Sequence, residues 1–155
     1  IKFFKLVFLF KDMTILVPTY NIDSVGIRLP SSDLSTKEAL EELAKKPHRQ
    51  LESIDFTPRG WNTRHKDYQL KIHSGQLKEL IKIYRDLMYI SQQKELSFGE
   101  RSLLQTTEEL IGQELQVVKN ITREQALHEI RSPFKQFMYF GEKNFSHEGV
   151  SALPR

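Results

Sequence analysis

The sequence predicts an α+β chain: an N-terminal β-hairpin followed by a compact all-α bundle of about five helices. Two observations carry this. The first seventeen residues hold two apolar runs rich in aromatic and β-branched side chains, split by a polar break. From about Ser35 onward, apolar residues recur with the helical period, and the stretches between them are short.

Phe3, Phe4 and the run Leu6 to Phe10 form the first predicted strand, and Met13 to Val17 the second. Lys11-Asp12 reads as a two-residue turn between them, and Pro18 ends the pair. A lone hairpin is marginal in water, so further strands are expected upstream of Ile1. Residues 18–35 read as a loop punctuated by Pro18, Asn21, Gly26 and Pro30. Ser35 with Glu38 fits a capping box opening a first helix to about Lys46, stopped by Pro47. Residues 47–60 read as a linker. A second helix is predicted from about Asn62 to His73, ended by Ser74-Gly75.

A third helix carries the stripe Leu77, Leu80, Ile81, Tyr84, Leu87 and Met88. Ser97 with Glu100 opens a long fourth helix whose stripe is Leu103, Leu104, Ile111, Leu115 and Val118. Thr122 with Gln125 opens a short fifth helix carrying Ala126, Leu127 and Ile130. Short turns imply antiparallel neighbours. In the tail, Phe134, Phe137, Tyr139, Phe140 and Phe145 alternate with lysines, and packing back onto the bundle is their expected use.

The 155 residues are 39% hydrophobic and 28% charged, which suits a folded protein rather than a disordered or fibrous one. With no cysteine there is no disulfide framework and no thiolate metal site. Lys5, Lys11 and Asp12 interrupt the opening apolar run, so it does not read as a signal peptide, and no stretch is long enough for a membrane helix. The net charge of +3 is unevenly spread. Residues 45–85 hold ten Lys or Arg against four acidic residues, whereas residues 86–131 hold five against eight. A basic stretch of this kind attracts polyanions such as DNA, or is simply a solvated helix face.

No phosphate loop, zinc-protease helix or nucleophile elbow is present, and no enzyme is expected. His65 and His73 share one predicted helix without further ligands nearby, so neither a metal nor another cofactor is expected. Glu108-Glu109 reads as a solvated pair on an exposed face. The informative segment is Arg59-Gly60-Trp61-Asn62-Thr63-Arg64-His65-Lys66, which holds the single Trp inside the basic stretch. One reading makes Trp61 a core anchor. The other makes it a flat wedge at a base step, with Arg59, Arg64 and Lys66 on flanking phosphates and the helix N-terminus adding backbone donors.

The segments KDMTILVPTYNIDSVGIR at 11–28, WNTRHKDYQLKIHSG at 61–75, YRDLMY at 84–89 and LSFGERSLL at 96–104 together resemble the CarD/CdnL family of bacterial transcription regulators. The resemblance implies three parts: residues 1–32 as the C-terminal remnant of a small Tudor-like β domain, residues 33–131 as a helical DNA-binding domain, and 132–155 as a tail. It implies two partners, the β subunit of bacterial RNA polymerase and promoter DNA, for a cytoplasmic, nucleoid-associated and monomeric protein. Met13, Ile15 and Leu16 fall in the polymerase-binding strand. Trp61 matches the wedge that holds the upstream edge of the transcription bubble open, and Arg64, Lys66 and Arg101 match basic DNA-contacting positions. Leu16 stands where some members carry an arginine, so polymerase contact is expected to rest on strand pairing and apolar packing. Thr63 stands where some relatives carry a basic residue.

Overall fold

A computed structural model of the chain describes residues 1–45 and 54–137. Strands β1 (Phe3–Val7) and β2 (Thr14–Pro18) form an antiparallel hairpin in which Phe4 faces Val17 and Leu6 faces Ile15. The turn is not the two-residue one that Lys11-Asp12 suggests. Pairing stops at Val7 and resumes at Thr14, so Phe8, Leu9 and Phe10 leave the ladder for a six-residue connection. The Phe8 N–H donates to the Met13 carbonyl at 3.0 Å and closes it. Apolar character alone overstated the length of the strand, because it cannot distinguish a paired residue from one in a connection.

Five α-helices follow: α1 (Asp33–Ala44), α2 (Pro58–Ser74), α3 (Leu77–Gln93), α4 (Phe98–Lys119) and α5 (Arg123–Arg131). A 3-10 turn covers Thr19–Asn21, and another covers Ser132–Phe137. The Ser35–Glu38 box is not used. Ser32 caps α1 by accepting from the Ser35 N–H, and Asp33 in the first turn suits the helix dipole. The Pro47 stop lies outside the described residues.

α2 begins four residues earlier than the sequence suggests. Thr57 caps it and Pro58 takes the first helical position, where its fixed φ and missing N–H cost nothing. Read as linker punctuation, Pro58 is in fact a start signal. Gly75 ends the helix with φ +68°, a conformation that favours glycine. The capping boxes of α4 and α5 form as the spacing predicts.

The core runs through α3. Ile81, Tyr84, Leu87 and Met88 of that helix are fully covered, with Leu104, Ile111 and Leu115 of α4, Leu43 of α1 and Ile130 of α5 around them. Phe134 folds back as expected and meets Tyr84 and Tyr89 edge-on, each at a centroid distance of 5.9 Å. The rest of the aromatic tail, from residue 138, lies outside the described residues.

Glu108 contradicts its expected exposure. It is buried, where it accepts from the Tyr84 hydroxyl at 2.6 Å and pairs with Arg131. Position 108 falls on the inner face of α4, one turn from Leu104 and Ile111, so the helical period placed it inside. No helix among the described residues is long and apolar enough to cross a membrane.

Candidate nucleic-acid interface

The surface around Trp61 is built by a turn, a cap and two helix ends. The Thr57 N–H donates to Asp55 Oδ1 at 2.8 Å, and the Thr57 hydroxyl and backbone hold the Asp55 carboxyl below its usual pKa. Thr57 Oγ1 then accepts from the Gly60 N–H at 3.2 Å, and the Trp61 N–H donates to the Thr57 carbonyl at 2.9 Å. These bonds satisfy the Gly60 and Trp61 N–H groups. Gly60 fits tightly: a Cβ there would lie 2.3 Å from the Asp55 carbonyl oxygen.

Trp61 is half-buried and packs at the edge of the core. The Cζ2–Cε2–Nε1 edge of its indole meets the first turn of α4, where a Cβ on Gly99 would lie 3.0 Å from Cζ2. The Arg64 guanidinium sits 5.7 Å from the indole centroid and the His65 ring 5.1 Å from it, tilted by 49°. These residues follow Trp61 by three and four positions, so one helix face carries all three. His65 also lies 3.3 Å from the Gln69 amide. Among the described residues, no cluster of His, Asp or Glu is placed to hold a metal ion.

The predicted cations separate into two kinds. Arg64 donates to the Asp55 carbonyl at 2.6 Å and pairs with Glu100 at 3.3 Å. Glu100 is buried; it completes the α4 capping box with Ser97 and also pairs with Lys94 at 2.6 Å. Phe56 lies under both cations, 5.8 Å from the Arg64 guanidinium and 5.3 Å from the Lys94 ammonium. Arg64 thus belongs to the scaffold that holds Trp61. Arg101 is largely covered, and its nearest carboxylate is that of Glu95, 3.9 Å away. Arg59 and Lys66, seven positions apart and so on one face of α2, are exposed and make no ion pair with the described residues.

At the other end of the chain, Met13, Ile15 and Leu16 are all exposed. Ile15 and Leu16 lie on opposite faces of the hairpin, so both faces present apolar surface.

The sequence did not reveal Gly99, Phe56, Lys94 or the second role of Glu100. The Ser97–Glu100 spacing identified the cap, but no local rule pairs position 64 with position 100. A further long-range tie was also missed. Arg28 donates to both Glu114 oxygens and twice to the Gly75 carbonyl, and Glu114 accepts from the Ser31 N–H and hydroxyl. The Val25-Gly26-Ile27-Arg28 segment is thereby bound to the α2–α3 turn and to α4.

Two comparisons with known proteins give the chain its family. The family described as "CarD, C-terminal domain" matches residues 50–131, which span α2 to α5. The Bacillus subtilis (strain 168) protein named "Putative transcription factor YdeB" is 32% identical over 114 residues, covering 74% of this chain and 70% of that protein. The Trp61–Gly99 surface lies within the matched helices, and on both counts the chain belongs to the CarD family.

Proposed function

We propose that the chain is a transcription regulator that binds the β subunit of bacterial RNA polymerase through its hairpin and stabilises the open promoter complex. In this reading Trp61 acts as the wedge at the upstream edge of the bubble. Arg59 and Lys66 hold flanking phosphates, Arg64 fixes the indole, and Arg101 adds positive charge at the start of α4. Met13, Ile15 and Leu16 supply the apolar and main-chain contact with polymerase.

One observation carries the reading. A tryptophan that is neither free nor fully buried is braced from behind by Gly99 and beside by Arg64, and the same helix carries the exposed cations Arg59 and Lys66, which make no ion pair with the described residues. A preset aromatic surface pays little entropy on contact, and a wedge needs no base-specific hydrogen bonds. Bound to a junction that polymerase has already opened, it avoids most of the unstacking cost and favours the open state by its differential affinity. Binding to naked DNA is then weak and strongly salt-dependent.

The test is the decay of preformed promoter complexes after addition of a competitor. With the protein present, open complexes should persist several-fold longer. Unchanged decay would refute the proposal.

A second reading has support from the partial burial of Trp61 against the core: a helical protein-interaction module in which the indole is structural. Iodide quenching separates the two. A wedge-ready indole is quenched in the free protein and protected by forked DNA, whereas a structural one is indifferent to DNA.

A further inference from the structure

Trp61 stands near the start of α2, and the segment after the hairpin is fastened at the far end of the same helix. Two glycines with left-handed backbones meet there, Gly26 at φ +74° and Gly75 at φ +68°. A Cβ on Gly26 would lie 3.1 Å from the His73 carbonyl oxygen, so the chain passes close against the last turn of α2. Two residues on, Arg28 Nε and Nη2 donate to the Gly75 carbonyl at 2.9 and 2.6 Å. Nη1 and Nη2 also donate to the two Glu114 oxygens, at 2.7 and 2.6 Å. The guanidinium is a rigid planar fork, so bonds in this arrangement fix direction as well as distance. The Arg28 and Glu114 side chains are only 27% and 11% exposed, so salt screens this pair less than a surface one.

Apolar packing does less to hold the hairpin. A groove of about 430 Å³ lies between the β1–β2 connection and α4, lined by Phe8, Phe10, Leu110 and Val117 among others, and all four of these side chains are exposed. The polar joint at Arg28 therefore bears on how the hairpin is oriented. The lever is long: from Gly75 to Trp61, α2 rises about 21 Å. A swing of about 10° at the joint would move the indole by roughly 4 Å, about one base step along a DNA strand.

We propose that Arg28 is a positioning residue. By tying the hairpin segment to the end of α2 and to α4, it fixes where Trp61 stands once the hairpin has docked on polymerase. This rests on the function proposed above and adds to it the residue that couples the two contacts.

The experiment uses the full chain with Arg28→Gln and Glu114→Gln. The chain has no cysteine, so spin labels can be placed at Lys5→Cys on β1 and Leu70→Cys on α2, both exposed positions. Pulsed electron paramagnetic resonance should give one narrow distance in the parent chain and a broadened one in either variant, with helical circular dichroism retained. Unlabelled, the variants should bind polymerase and naked DNA as the wild type does, yet at saturating protein shorten open-complex lifetime several-fold relative to it. Should Arg28→Gln lose helicity, Glu114→Gln carries the same test. An unchanged distance, an unchanged lifetime, or a lifetime loss that merely follows weaker polymerase binding overturns the proposal. If the wild type itself does not prolong the open complex, the function proposed above falls, whereas a distance that still broadens shows that Arg28 is the joint.

Discussion

Arg64 and Lys66 are two positions apart on α2, and the fold treats them differently. Arg64 is tied to the Asp55 carbonyl and to the buried Glu100. Arg64→Ala strands part of a buried carboxylate's pairing, and should cost about 1–3 kcal/mol, read as a lower melting temperature. Lys66→Ala removes no described contact. Its melting temperature should match the wild type, while the slope of log affinity against log salt should fall by about one. Gly99→Ala makes a third test at this scale. Alanine favours the helix by about 1 kcal/mol, but its Cβ presses on Cζ2. The fold should survive, and the tryptophan emission should shift. The importance of Trp61 and its basic neighbours was legible because the features are local. Which cations are paired within the fold was not, because that depends on residues up to 36 positions away.

At the scale of elements, the helical stripes of α3 and α4 read correctly, since burial of a helix face leaves a periodic trace. Starts were harder. Ser32 and Ser35 are both plausible caps for α1, and Pro58 resembles a breaker until Thr57 is seen to cap behind it. Glu108 was misread because a carboxylate argues for solvent, whereas its position on α4 argues for the core. Pairing with Tyr84 and Arg131 lets position win. That cluster joins α3, α4 and α5. Glu108→Ala would leave the Tyr84 hydroxyl buried without this partner and should destabilise the fold by about 2–4 kcal/mol, measurable by denaturant unfolding.

Across the whole molecule, the Arg28–Glu114 tie sets how the segment after the hairpin sits on the bundle, and so the span between the proposed polymerase contact and Trp61. Burial alone would raise the Glu114 pKa, but hydrogen bonds from Arg28 and Ser31 outweigh it and hold it below the usual 4.5. Glu42 is held at about 2, mainly by Lys45 and also by Arg85. Both carboxylates ionise more readily folded than unfolded, so their contribution is present above about pH 4.5 and fades as the pH falls through the folded values. Glu114→Gln should therefore lower stability at neutral pH and flatten the loss of stability below pH 4.5, as followed by circular dichroism. No local pattern announced this tie, because its partners lie 86 residues apart.

The central claim is that Trp61 stabilises open promoter DNA, and the direct measurement compares open-complex lifetime with wild-type protein and with Trp61→Ala. The variant should remain folded, because only part of the indole is buried. At saturating protein it should still bind polymerase, yet return the lifetime most of the way to that of polymerase alone. A folded, polymerase-bound Trp61→Ala protein that prolongs the open complex as the wild type does would contradict the account.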